Sequence, residues 1–533
     1  SGVTNIISFT STTGSNLTAN SDLVIDHNGS GSFSIAPSIN GAGNLTVAGL
    51  GNTTISGAVV TTGGARLYKN GSGTLILSGN NTFTGDTAIN AGTLQVSSAG
   101  LLGGGSYSGN ITNSGVFIFG SSGSQTLSGV ISGVGSMTKN GTGTLTLSAS
   151  NTYAGSTTVK AGTIALNHAD ALGSGGDISF TGGGVQYGAG ITTDISSRIK
   201  NSTGAILIDT NGNNITFGSV LDSTNTLGLT KNGTGTLTIS AANTYTGNTT
   251  INAGTLTLGA SDRIADSSNL NIAGGVLNLD GYSESIGSLT GSGNMILGSG
   301  ALTTNSSAST TFSGVISGNG GSITKYGTGT LTLSGNNSYT GATTINSGTI
   351  SYDHANALGS GGDISFSGGG IKYGTGITND ISSRIKNSTG AILLDTNGNN
   401  ITFASVLDST NTLGLTKNGT GTLSLSNNIS YSGSTTINAG TLEITATGLL
   451  NGGDYSSNIV NKGAFVFGSN SNQILSGVIS STGSLAKNGT GTLTLSGNNT
   501  YNGTTTINGG TLEIMSTGRL GAGAYAADIT NNG

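Results

Sequence analysis

One unit recurs six times in this chain, and a chain that repeats itself at this scale has to be read as an array of stacked modules before anything else. The copies begin at Lys69, Lys139, Lys231, Lys325, Lys417 and Lys487. The second copy reads KNGTGTLTLSASNTYAGSTTVKAGTIAL, from Lys139 to Leu166, and the last reads KNGTGTLTLSGNNTYNGTTTINGGTLEI, from Lys487 to Ile514. An aromatic stands at one fixed offset after each Lys: Phe83, Tyr153, Tyr245, Tyr339, Tyr431 and Tyr501. A glycine stands at a second fixed offset: Gly92, Gly162, Gly254, Gly348, Gly440 and Gly510.

Successive copies start 70, 92, 94, 92 and 70 residues apart, and the material between them repeats as well. Residues 168–258 and 354–444 are nearly the same sequence, sharing ISSRIKNSTGAIL at Ile195 to Leu207 and Ile381 to Leu393. Residues 97–138 match 445–486 in the same way. A third copy of that segment starts near Ser516 and stops at Gly533, so the chain is expected to be a piece of a longer protein.

Inside the unit the two-residue alternation of a half-buried strand recurs. In the copy at Lys139, Thr144–Leu147 alternates polar and apolar, a turn cluster follows at Ser150–Gly155, and strands are predicted again at Thr157–Val159 and Thr163–Leu166. The interval from Leu145 to Ile164 is about what one turn of a narrow β-coil needs. Strands this short are not stable as isolated hairpins. Stacked in parallel at ~4.8 Å per coil, each finds backbone partners above and below, and turn asparagines can form ladders between coils.

Composition narrows the alternatives. Of 533 residues only 16 are Lys or Arg and 21 Asp or Glu, while 97 are Gly and one is Pro. So little proline leaves almost every backbone N–H free to join a ladder. Val, Ile and Thr in blocks, with a net charge of only −5, argue against disorder. The chain holds no cysteine, hence no disulfide and no thiolate metal site. A propeller would repeat at one period, whereas these spacings are unequal. The fold class expected is all-β, a parallel β-helix (solenoid) forming an elongated rod. Residues 65–533 are its repetitive part, and residues 1–64 are a β-rich N-terminal segment of initial or atypical coils.

The block KNGTGTLTLSGNNTYTGxTTINAGTLxL resembles the passenger-associated transport repeat of bacterial autotransporters, the type V secretion system. The segment NLNIAGGVLNLDGYSESIGSLTGSGNMILGSGALTTNSSASTTFSGVI, Asn269 to Ile316, has the same phrasing. The resemblance covers most of residues 65–533. It implies a right-handed parallel β-helix, displayed on the bacterial surface or released, and exported through a C-terminal outer-membrane β-barrel. No barrel pattern is present in this sequence. It also implies that the repeat accompanies the stalk and its export and carries no shared catalytic chemistry.

Candidate sites are few. The histidines are His27, His168 and His354. The last two are equivalent, but Asp170 aligns with Asn356 and Asn167 with Asp353, so the nearby carboxylate moves and surface histidine is the better reading. Asp194, Arg198, Lys200, Asp209 and Asp222 reappear as Asp380, Arg384, Lys386, Asp395 and Asp408. A glycan-cleaving site would need carboxylates converging within about 5–10 Å; a polar loop with a lateral salt bridge explains the set as well. The Gly-x-Gly of NGTGTL precedes a strand and opens no helix, so it is a β-turn and not a phosphate loop. The recurrent Lys is read as a solvated turn residue that also discourages edge pairing, and the recurrent aromatics as turn-packing side chains.

No catalytic, cofactor-binding or metal residue is therefore assigned, and neither an enzyme nor a nucleic-acid binder is expected. The expected function is a secreted or surface-displayed stalk acting in adhesion, aggregation or display. Its expected partners are a host or neighbouring cell surface, glycans, or copies of itself. The alternative is a self-assembling extracellular filament, sheath or surface-layer subunit.

Overall fold

The computed structural model describes residues 16–521 and 524–533, so the expectation for residues 1–15 of the N-terminal segment lies outside the described residues. Its contacts divide the chain into two units, Ser1–Ser268 and Asn269–Gly533. Each is a parallel β-solenoid. Among the described residues no α-helix forms, only short 3-10 turns such as Ser196–Arg198 and Ser382–Arg384. Among the described residues no helix is long and apolar enough to cross a membrane.

The predicted strands form with the predicted bounds. Thr144–Leu147, Thr157–Val159 and Thr163–Leu166 are strands, and Leu145 lies beside Ile164 on the next coil, as their spacing requires. Coil length varies elsewhere. Val276 pairs with Asn294 across a short coil, whereas Thr87 pairs with Ile111 across a longer one. All these pairings are parallel, so the hydrogen bonds run between coils and the side chains alternate in and out of the bore.

The inward positions make the core. Leu75, Leu94, Leu145, Ile164, Leu237 and Leu256 are completely buried, and their counterparts in the second unit are buried too, apart from Leu512 near the end of the chain, which is half-buried. Each such side chain contributes about 1.5–3 kcal/mol on leaving water, and a column of them is what such short strands need to persist. Most outward Thr, Ser and Asn side chains stay partly exposed.

The repeats do not share one face. In the first unit, the Lys69 strand Leu67–Lys69 lies in one sheet and its following strand Thr74–Leu77 in the next. That second sheet then holds Ser136–Lys139, the first strand of the Lys139 repeat. Thr144–Leu147 joins a third sheet, which takes Leu229–Asn232 of the Lys231 repeat. The second unit does the same. Ser322–Tyr326 is followed onto a new sheet by Thr330–Leu333, which that sheet shares with Leu415–Asn418; Thr422–Leu425 then shares the next with Ser484–Lys487. Within each unit every repeat is turned by one face relative to the one before.

Candidate functional site

The recurrent lysine corrects the sequence reading. It is not a solvated turn residue: Lys69, Lys139, Lys231, Lys325, Lys417 and Lys487 are at most 2 % exposed. Two-residue periodicity explains why. The residue two positions earlier is always apolar (Leu67, Met137, Leu229, Ile323, Leu415, Leu485), so the lysine shares its inward direction. In register it stands between side chains of the core. Lys139 lies between Phe119 and Val159, Lys231 between Ile208 and Ile251, and Lys417 between Leu394 and Ile437.

A buried ammonium has to be fully hydrogen-bonded, and the corner of the coil supplies the acceptors. Lys231 donates to the carbonyls of Asn232 at 2.9 Å, Gly233 at 2.7 Å and Ala253 at 3.1 Å. Lys417 donates to Asn418 at 2.8 Å, Gly419 at 2.7 Å and Ala439 at 3.2 Å. Three donors thus meet three carbonyls. Lys325 reaches Tyr326 and Gly327 at 2.6 and 2.7 Å. Lys69, Lys139 and Lys487 bond Gly71, Gly141 and Gly489, and span to the next coil at Ala91, Ala161 and Gly509 over 3.3, 3.2 and 3.1 Å. The ammonium groups of Lys139 and Lys487 also lie 5.6 Å from the ring centres of Phe119 and Phe467. Burial pulls Lys139, Lys231 and Lys417 down to about 8, opposed in the last two by the carboxylates of Asp209 and Asp395.

The recurrent glycine closes this corner. Gly162 has φ +63°, and a Cβ there would come within 2.5 Å of the Gly141 and Gly143 carbonyls and 2.7 Å of the Lys139 ammonium. The NGTGTL glycines are therefore parts of a cation cradle, with the chain's own lysine as the cation. The asparagine beside the lysine forms the expected ladder: Asn90 donates to Asn70 at 2.7 Å, and Asn508 to Asn488 at 2.8 Å.

The recurrent aromatics pack in the turn, as expected. Tyr153, Tyr245, Tyr339, Tyr431 and Tyr501 are fully buried and Phe83 nearly so. Each tyrosine hydroxyl shares a hydrogen bond with the next strand's first threonine (Thr157, Thr249, Thr343, Thr435 or Thr505), the shortest at 2.6 Å and the others at 2.8 Å. Desolvation holds Tyr153 and Tyr339 up at about 12. None of the five rings is offered to a ligand.

The duplicated charged set holds turns. Asp194 accepts from the N–H groups of Ser196 and Gly218, both at 2.8 Å, and Asp380 from Ser382 and Ala404 at 2.8 and 2.9 Å. Asp209 and Asp395 accept from Asn211 and Asn397 at 2.9 and 2.8 Å, Asp222 and Asp408 from Thr224 and Thr410 at 3.0 Å. Arg198 donates to the carbonyls of Gly176, Gly173 and Leu172 at 2.8, 3.0 and 2.9 Å, and to that of Gly175. Arg384 repeats the first three of these bonds, to Gly362, Gly359 and Leu358 at 2.9, 3.0 and 2.8 Å. The expected lateral salt bridge does not form within this set; ion pairs form elsewhere, as at Arg66–Asp86 and His168–Asp170. Backbone carbonyls, not carboxylates, satisfy the guanidinium. Lys200 and Lys386 stay exposed.

The histidines also cap backbone. Nδ1 of His168 accepts from the Asp170 N–H and that of His354 from the Asn356 N–H, both at 3.1 Å. His27 bonds the Asn52 carbonyl at 3.2 Å. Among the described residues no three metal-ligating side chains gather.

Comparison with known proteins agrees with this geometry. The passenger-associated-transport-repeat matches residues 67–96, 137–166, 229–258, 323–351, 415–444 and 485–514, each time starting at the apolar residue that precedes the buried lysine on its inward face. Over 435 residues the chain is 32% identical to the adhesin BmaC autotransporter of Brucella suis biovar 1 (strain 1330). That stretch is 70% of this chain and 12% of the relative, so the chain corresponds to a small part of a much longer protein. No solved structure matches it. Six matched repeats, each one corner of a parallel solenoid, place the chain in the family of bacterial autotransporter passengers built on passenger-associated transport repeats.

Proposed function

We propose that this passenger is a surface-displayed or secreted scaffold that acts in adhesion, holding many weak contacts outward from the cell. The observation that carries this reading is the turn of one face per repeat. Each unit presents the polar exterior of its three repeats on three sheets in succession, so contacts surround the coil instead of lining one groove. Weak contacts presented this way gain from multivalency. The naming of the Brucella relative as an adhesin supports the same reading. The charged residues whose chemistry could cleave a glycan are spent on backbone capping, which supports a scaffold over a hydrolase.

Beads carrying the purified chain test this. Dense beads are expected to adhere to host-type or bacterial cells, with retention falling steeply as coupling density is lowered. Beads that adhere no better than uncoated ones, at any density, contradict it.

A further inference from the structure

Six near-identical strands in one chain create a hazard, because in-register stacking of like on like is what identical β-segments favour. The copies at Lys139 and Lys487 share KNGTGTLTLS residue for residue. Most of that segment would welcome such stacking, Leu on Leu inside and Thr on Thr outside. The lysine is the exception. Stacked coils are ~4.8 Å apart, so two like strands would place two buried ammonium groups about that far from each other.

The native register never makes this contact. Lys139 is flanked by Phe119 and Val159, Lys325 by Thr304 and Ile345, and no lysine of the six flanks another. The strand that follows the lysine strand on the same sheet carries an isoleucine or valine at the matching position: Ile89, Val159, Ile251, Ile345, Ile437 and Ile507. Each of these lies one coil after its lysine, and the carbonyls that complete the cradle come from the same coil corner. A lysine strand is thus complementary to the strand downstream of it and incompatible with a copy of itself. The coils stacked between successive copies keep the lysines apart in the native state; nothing but their charge does so in a collapsed, unfolded chain.

We propose that the buried lysine of each repeat bars like repeats from stacking on one another, within a chain or between chains, so that only sequential coils can pair. Buried charges are retained in some proteins for specificity of pairing even where an apolar residue would be no less stable.

The test replaces all six lysines by methionine, which keeps the length of the stem without the charge. Folded, the variant is expected to melt no lower than the parent. Diluted from denaturant at about 10 μM, it is expected to lose more than half its monomer to thioflavin-binding aggregate while the parent returns as monomer; at about 10 nM, where chains do not meet, both refold. Equal monomer recovery by the two chains at the higher concentration overturns the proposal. So does a variant that gives no native protein even at the lower concentration, or one that melts well below the parent. Either result makes the lysine part of the frame and not a guard.

Discussion

Residues 168–258 and 354–444 are the same experiment performed twice, once in each unit. Where the two sequences agree, the geometry agrees closely: three of the four carbonyls that hold Arg198 lie at 2.8, 3.0 and 2.9 Å, and their counterparts hold Arg384 at 2.9, 3.0 and 2.8 Å. Such repetition at the level of hydrogen bonds shows that the turns are specified locally, by the residues that cap them. The two segments differ at 18 of their 91 positions. Two residues before the first copy stands Leu166, where the second has Tyr352, whose ring packs 4.9 Å from that of Tyr373. Gln186, which donates to Asp209 at 2.8 Å, is replaced by Lys372 opposite Asp395. The shared residues are structural. The divergent ones show how much the frame tolerates.

Removing a shared clamp should hurt both copies alike and hardest. Arg198→Ala and Arg384→Ala each leave several half-buried carbonyls without a donor, and are expected to cost about 2–4 kcal/mol locally. Hydrogen exchange should show residues 172–176 or 358–362 opening in the mutated copy while the other stays protected. If opening spreads equally to the unmutated copy, local specification is wrong.

Exchanging the divergent core residue should be asymmetric. Leu166→Tyr brings a larger side chain and a hydroxyl into a packed bore and is expected to cost about 1–3 kcal/mol. Tyr352→Leu removes a buried hydroxyl that finds no hydrogen-bond partner, and is expected to be neutral or to stabilise by up to about 1 kcal/mol. Denaturant midpoints of the two single variants check this; equal and opposite shifts would contradict it.

The pH response should be shared by both copies. Lys231 and Lys417 titrate at about 8 when folded and at about 10.4 unfolded. Between those values the unfolded chain binds more protons, so stability rises with pH. The buried tyrosines, held above their ordinary value when folded, oppose this above about pH 10, where unfolded tyrosine ionises. Urea titrations between about pH 7.5 and about pH 9.5 should therefore show rising midpoints, flattened in a Lys231→Met, Lys417→Met chain. A falling midpoint would mean that the carbonyl cradle outweighs desolvation. Smallest of all, Gln186→Lys, which makes the first copy resemble the second on an outward position, should shift stability by under about 0.5 kcal/mol.

Much of this architecture is legible in the residues. Alternation in Thr144–Leu147 and the spacing from Leu145 to Ile164 give strand bounds and coil length directly, and the fixed offsets give the repeat. Two things are harder to read. Charge suggests that Lys139 belongs in water, yet Met137 two positions before it already marks the inward side; a rule based on residue type outweighed one based on period. The acceptors for Arg198 and Lys231 are backbone carbonyls, whose placement depends on how the Gly-rich corners stack, and no side-chain pattern announces them. The same holds for the turn of one face per repeat, which needs the strand pairings as well as the unequal spacings.

The central claim is that the lysine of every repeat lies inside the coil, and amine labelling reads this directly. On brief treatment of the folded chain with an amine-reactive reagent, followed by peptide mass spectrometry, the exposed Lys160, Lys200, Lys386 and Lys462 should label freely. Lys69, Lys139, Lys231, Lys325, Lys417 and Lys487 should stay protected until the chain is unfolded. Labelling of those six in the native state, at rates like those of the exposed four, would contradict the account.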